Sequence, residues 1–412
     1  MDVGQVSDER IGSQLDLLLS NSDYDDVILV TDGAGETKFG ELWERSLREL
    51  AVEAGLKAIE NAGIFSRDIQ VLYGSNSLAG IINGQENIGA LISDFSGIAE
   101  NHIPAIRVEA STASGGAAVR QASLAIKSGE YDVVMVGGVE KMTDVYGSEI
   151  IDLTSSVLDR EWEAFFGATP ASLAAITARK YMADFGVDKE ALAMMSVNDH
   201  LNASKNPDAQ FKNKISVEQA MGATPVAEPL NLMDCSPVSD GAAAIILASE
   251  KYVKKNKIDG IRIAGSADAQ DYLAVHSRKS LYALDSARIA GKAALEKAHV
   301  KLEDISFAEL HDSYSIYGLI ELEELGFAEK GHAKDLVFDD IKLGGRIPIN
   351  PSGGLKAKGN PFGATGVGQF VEAYRQLKNK CGERQVKGAK YALLHSMAGT
   401  GSMSVVHIVG GE

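Results

Sequence analysis

Val108–Arg120 reads VEASTASGGAAVR, and the reading of this stretch decides the fold. The residues before it, Ile103–Val108, form a short run of strand type. Those after it carry almost no bulk, so backbones can pack tightly there or a ligand can come close. The stretch runs straight into a helical pattern. Free N–H groups at a helix start suit a developing negative charge. Thr112 sits at that start. A strand, a small-residue turn and a helix in succession predict a βα unit, with Thr112 at the strand's carboxyl end, where open α/β sheets bind ligands.

The same rhythm extends outward. Val27–Val30 reads as the first buried strand, followed by a glycine-containing turn, Thr31–Gly35. Ser46–Glu49 is a capping box opening a helix whose apolar positions Leu47, Leu50, Ala51, Ala54 and Ala58 keep the helical period, with Gly63 as its C-cap. Ile69–Tyr73 and Val133–Val136 are further strands. From about 140 to 230 the rhythm breaks into Met-rich and polar helical pieces such as Ala171–Phe185 and Lys189–Ala203, which predicts an inserted subdomain. It resumes with Ala242–Ala248 and Ile261–Ala267. Strands alternating with helices imply a parallel α/β sheet.

The pattern then starts again. Ala62–Val71, AGIFSRDIQV, lies on Ala298–Phe307, AHVKLEDISF, without a gap. Val133–Gly138 also aligns with Tyr391–Gly399, each an apolar strand ending in a small-residue turn. These matches predict a duplicated α/β unit whose two active-site turns face one cleft, with Thr112 near the glycine-rich 350–368 stretch. The expected division is a polar leader over 1–26, one half over 27–260 with the insertion, and a second half over 261–412. The apolar patch Leu15–Leu19 of the leader would dock on the body or on another subunit.

Bulk properties exclude several classes. The chain has 412 residues, 45% hydrophobic and 24% charged, an ordinary globular composition that suggests two fused units or more. No run reaches the roughly 18 apolar residues of a membrane span, and the acidic N-terminus lacks a secretory pattern. Cys235 and Cys381 are the only cysteines, which points to a reducing, cytoplasmic compartment and against a cysteine-built metal site. A net charge of −17 disfavours nucleic acid, yet leaves room for an anionic ligand bound by a local lysine cluster.

Three further segments carry chemistry. Asn350–Gly368, NPSGGLKAKGNPFGATGVG, is either a ligand loop or a flexible surface loop. Glu309–Ser315, ELHDSYS, offers a His–Asp pair, catalytic or structural. His395–Gly401, HSMAGTG, adds a third histidine-bearing strand end.

With these motifs together, the chain resembles the thiolase superfamily. The 108–120 stretch is similar to the thiolase nucleophile loop, where a Cys normally precedes the A-S-G-G run; here that position is Thr112. GGLKAKGNPFGATG resembles the motif in which G-H-P carries a catalytic His; here it is Asn360. HDSYS, HSMAGTG, Glu140–Thr143, Gly167–Ala171 and Asp234–Ala243 resemble the archaeal and sterol-carrier-protein-type acetyl-CoA C-acetyltransferases. The likeness covers about Val27 to Ile408 and implies the thiolase fold, duplicated halves in five αβαβα layers. It implies a homodimer or homotetramer, paired near Ile103–Ala110, acting on acyl-CoA thioesters with no metal in the chain. An alcohol at 112 without a His at 360 implies altered chemistry. The alternatives are a retro-aldolase on a β-hydroxyacyl-CoA, like Cys-less relatives that work with a zinc-ribbon/OB-fold partner, or a non-catalytic acyl-CoA-binding scaffold. The expected catalytic set is Thr112, His311, Asp312, Tyr314, Asn360 and His395, with Tyr314 or Tyr317 as the base. Coenzyme A is expected on Ser352, Gly353, Gly354, Lys205, Lys212 and Lys214.

Overall fold

In a computed structural model the chain is described over residues 26–145 and 147–411. The leader and its Leu15–Leu19 patch lie outside the described residues. Nine strands form one sheet: β1 (Val27–Glu36), β2 (Val71–Ser75), β3 (Ala105–Val108), β4 (Val133–Glu140), β5 (Gly241–Ser249), β6 (Gly260–Gln270), β7 (Phe307–Glu309), β8 (Tyr391–Ala398) and β9 (Met403–Gly410). Their order is β3-β2-β4-β5-β1-β6-β9-β8-β7. The seam is β1 against β6, antiparallel, with Leu29 opposite Ile261.

Reading away from that seam, one side runs β1-β5-β4-β2-β3 and the other β6-β9-β8-β7. A parallel bridge from Ala308 to Ile349 stands where the fifth strand of the second set belongs. The sequence repeat holds in detail. α1 (Leu47–Ala62) and α6 (Asp285–Ala298) both end on a left-handed residue, Gly63 and His299. A one-turn 3₁₀ segment follows each, 66–68 and 302–304. In each, the aspartate takes an amide N–H three residues back: Phe65 N to Asp68 at 3.0 Å and Lys301 N to Asp304 at 3.2 Å.

Five layers stack. α1 and α2 (Ile88–Phe95) cover the outer face of the first strand set. Between the two strand sets lie α3 (Ser114–Lys127) and α8 (Phe362–Leu377), whose Val119, Ile126, Val367 and Phe370 pack against Val134, Ile245, Phe307 and Leu394. The second strand set is covered by α6 and α7 (Ser315–Glu324), with α4 (Pro170–Phe185) and α5 (Lys189–Ala203) of the insertion packed on them. Small residues let the central helices touch: a Cβ on Gly115 would lie 2.8 Å from Gly366 Cα.

Two expectations need correction. Residues 31–35 are no turn, because β1 continues through them. The register shifts between Leu29 and Ala34, and Asp32 adopts φ 56°, so this is a bulge that keeps pairing with β5. The 350–368 stretch is no surface loop, because residues 350–361 are buried. Asn198, Asn202 and Asn206, four residues apart along α5 and just beyond its end, donate to Ile349 O, Asn350 O and Ser352 O at 3.1, 2.9 and 2.7 Å. Among the described residues no helix is long and apolar enough to cross a membrane.

Candidate active site

The turn ahead of α3 is built by its own small polar residues. Ser114 Oγ accepts from Ala110 N at 2.9 Å and donates to Ser111 O. Ser111 takes a left-handed conformation, φ 54°, which swings Thr112 inward. The helix proper opens at Ser114 behind Ala113, so Thr112 precedes it rather than starting it. The Thr112 hydroxyl donates to Met397 O at 2.5 Å and accepts from Gly399 N at 2.9 Å. The partners come from the end of β8 and the turn that follows it, so the first and last predicted segments meet.

The segment between β7 and α7 holds the next candidates. His311 is fully buried, and neither of its ring nitrogens has a hydrogen-bond partner among the described residues. Burial, with His395 adding to it, pushes His311 down to about 3, so the ring is neutral. His311 and Asp312 are not a couple. The Asp312 carboxylate accepts from Leu355 N at 2.9 Å and faces Asp199, whose pKa burial and the neighbouring acid push well above the ordinary carboxylate value. His395 Nε2 lies 3.0 Å from Ser404 Oγ, and its Nδ1 lies 3.0 Å from Glu321 Oε2, a close contact without hydrogen-bond geometry.

Asn360 stands before α8. Its amide N–H donates to Ser239 Oγ at 2.9 Å, its side-chain NH₂ to Ser236 Oγ at 3.1 Å, and its carbonyl accepts from Thr365 Oγ1 at 2.9 Å. Ser236 N in turn donates to Ser313 O at 2.8 Å, tying Asn360 to the His311 segment through residues 234–240. Beside Ser236 opens a cavity of about 420 Å³ lined by Tyr314, Ser236, Val238, Met142, Phe362 and Pro170. Tyr314 makes no side-chain hydrogen bond to the described residues, and burial holds its phenol well above its ordinary value. Tyr317 packs edge-on to Tyr314 at 5.9 Å but does not line the cavity.

Glu140, the last residue of β4, ties the start of α8 to residues 76–78. Its carboxylate accepts from Asn76 Nδ2 at 2.8 Å and from Ser77 N, Leu78 N and Gly363 N, each at 2.9 Å. Both cysteines are inert thiols; burial pushes Cys235 up to about 12.

The residues expected to hold coenzyme A stand apart from this cavity. Ser352 gives its N–H and hydroxyl to Glu309 at 2.9 and 2.6 Å. Gly353 and Gly354 abut Ala203 and Asp199, where a Cβ would lie at 2.6 Å. The Gly353 N–H is spent on Asn350 O at 2.9 Å. Lys212 donates to Pro207 O at 2.7 Å, Lys205 is half-buried and Lys214 exposed, and none lines the cavity. Sequence reasoning missed Glu321, Ser236 and Ser239. The signal for Glu321 was an acid at a core position of the apolar SIYGLIELEE helix. Among the described residues no His, Cys, Asp or Glu group is arranged to hold a metal.

Comparison with known proteins places these motifs. The thiolase N-terminal domain matches residues 28–251 and the thiolase C-terminal domain-like family residues 267–411. Acetyl-CoA acetyltransferase of Methanocaldococcus jannaschii is 49% identical over 385 residues, covering 92% of the chain and 97% of that protein. Sterol carrier protein 2 of Gallus gallus is 32% identical, covering 91% and 70%. The solved Ltp2-ChsH2(DUF35) aldolase superposes with a TM-score of 0.81 at 26% identity, covering 94% and 98%. Acetyl-CoA acetyltransferase from Syntrophomonas wolfei superposes at 0.74 with 18% identity, covering 95% and 100%, a likeness of fold.

Proposed function

The chain belongs to the thiolase family, and from that premise we propose that it makes or breaks a carbon–carbon bond of an acyl-CoA thioester without an acyl-enzyme at residue 112. One observation carries this reading: the Thr112 hydroxyl proton rests on Met397 O, and a carbonyl cannot act as its base. Asn360, also without a basic atom, leaves no second candidate for that task.

The remaining groups suit aldol chemistry on a β-hydroxyacyl-CoA. The β-hydroxyl loses its proton, the Cα–Cβ bond breaks, and the electron pair moves into an enolate on the thioester; a carbonyl product departs and the α-carbon takes up a proton. Neutral His311, free at both nitrogens, and the second N–H of Asn360 supply donors for the enolate oxygen. Tyr314, unbonded at the cavity wall, exchanges the proton on the β-oxygen. Its raised pKa makes it a phenol at rest, the acid that protonates the β-oxygen in the bond-forming direction; in cleavage its minor tyrosinate form takes the β-hydroxyl proton. In this reading Asp312 and His395 support the site from behind. Lys205, Lys212 and Lys214 meet the anionic nucleotide of coenzyme A from the insertion. The working form pairs through the β3 edge, in the cytoplasm, with a zinc-ribbon/OB-fold protein as a further partner. The name of the superposed aldolase supports the reading.

The test is turnover of two substrates. β-Hydroxyacyl-CoA should be cleaved, with loss on Tyr314→Phe or His311→Ala and little change on Thr112→Ala. Acetoacetyl-CoA with free coenzyme A should give no thiolysis and no acetyl adduct on the protein. Vigorous thiolysis with an adduct at Thr112 would overturn the proposal. Tight acyl-CoA binding without turnover would favour a scaffold.

A further inference from the structure

Glu321 lies on the buried face of α7, fully enclosed, and the chemistry above does not use it. A single oxygen of its carboxylate serves two of the site's segments. Glu321 Oε2 accepts the His311 backbone N–H at 2.8 Å and lies 3.0 Å from His395 Nδ1. From His395 the line continues: Nε2 is 3.0 Å from Ser404 Oγ, which is 3.0 Å from Ser286 Oγ, which donates to Gly401 O at 3.0 Å. That last carbonyl belongs to the β8–β9 turn, whose Gly399 N, with Met397 O at the end of β8, grips Thr112. The other oxygen, Oε1, has no partner.

We propose that Glu321 is the positioning residue of the site, a buried anchor that fixes the His311 segment and the His395 ring together and so sets where the free His311 imidazole presents its nitrogens. The proposal rests on the reading of His311 as the group that meets the thioester oxygen. The anchoring follows from geometry. His311 has no side-chain bond of its own to hold it, so its backbone N–H and the packing around it determine its position. An acid buried on the core face of α7 costs stability unless something offsets it. Burial raises the pKa of Glu321, and the facing His395 is the opposing influence. A leucine there would serve packing alone. The acid at this position, with one oxygen shared between two histidine-bearing segments, is explained by orientation.

The shared oxygen makes a clean test possible. In Glu321→Gln the amide carbonyl can take the place of Oε2 and accept the His311 N–H, so that bond is kept while the charge facing His395 is lost. In Glu321→Leu both contacts go at similar volume. Ser286 gives its proton to Gly401 O, so Ser404 donates to Ser286 and accepts from His395 Nε2–H, and Nδ1 is the ring nitrogen that reports on Glu321. The histidines of the full-length protein are ¹⁵N-labelled and their ring nitrogens read by NMR, alongside kcat and KM on β-hydroxyacyl-CoA. We expect the His395 Nδ1 signal to move in Glu321→Leu while Nε2 keeps its proton. We expect kcat to fall roughly a hundredfold in Glu321→Leu and less than tenfold in Glu321→Gln, with KM little changed. A folded Glu321→Leu protein with an unchanged His395 Nδ1 signal would overturn the proposal whatever the activity. So would equal losses of kcat in the two variants. If Glu321→Leu does not fold, Glu321→Gln decides through kcat: a loss beyond tenfold overturns the proposal, and a smaller one supports it. Failure of the functional reading shows differently, as absent turnover in the parent while the Nδ1 signal still moves in Glu321→Leu.

Discussion

The Thr112 hydroxyl gives its proton to one backbone atom and takes one from another, so both its bonding directions are spent. Cys in its place, alone, gains a more acidic group with no base beside it, since Asn360 accepts from Thr365 and donates to Ser236. Thr112→Cys and Asn360→His singly should therefore leave acetoacetyl-CoA thiolysis at background, while the double variant shows measurable exchange. The residues act as a unit, and their effects do not add. A double variant as silent as the singles would show that the pocket differs from a thiolase's beyond these two positions. His311 makes a second prediction at this scale. Its folded pKa is about 3 against an ordinary value of 6.5. Between those limits the unfolded chain binds the extra proton and the folded one does not, so stability rises with pH through this window and is complete above it. Buried Glu309, raised to about 8, acts in the opposite sense from its ordinary value upward. The parent alone therefore mixes the two, and the comparison with His311→Asn separates them. Urea midpoints for that variant should fall less steeply from pH 6.5 toward pH 4 than the parent's. Parallel curves would contradict a neutral, buried His311.

α3 and α8 approach so closely that neither tolerates a side chain at the crossing. Gly115→Ala would bring its Cβ to 2.8 Å from the backbone of α8. Overpacking of this kind costs about 1–3 kcal/mol. It would also shift Thr112 and Asn360, which precede those helices, apart. Thermal unfolding should show the loss, and Gly63→Ala, with open space around it, should lose less of its stability through packing and more through its left-handed φ of 65°. At this scale much was legible beforehand. The capping box Ser46–Glu49 and the Gly63 cap were readable because their partners sit three residues apart or fewer. α5 was readable at both ends, Lys189–Ala203, because Asp188 caps it. What stayed hidden was contact between distant segments. The asparagines of α5 look like any polar helix face until residues 349–352 are laid on them, and Glu321 looks like surface charge until α7 is buried. The 31–35 segment misled because glycine marks a bulge as readily as a turn.

The whole molecule leaves one sheet edge open. β3 pairs on one side with β2, and Ile106 on it is 48% exposed. An uncovered edge invites pairing with another chain. We expect a dimer at micromolar concentration by light scattering, and a shift toward monomer in Ile106→Lys; a monomeric parent would contradict it. The two-fold repetition within the chain has a consequence of another kind: the molecule carries its own control experiment. The left-handed cap, the 3₁₀ turn and the aspartate that takes an amide three residues back appear in both copies at the same offset. Whatever is written twice is what the scaffold requires in order to stand. Whatever is written once is surplus to that requirement: Thr112 in one copy, Asn360 in the other, and the helices α4 and α5 in the first only. A random mutational scan scored by folding alone should treat paired positions alike, and the places where the two copies part company would outline the chemistry without any substrate in the tube.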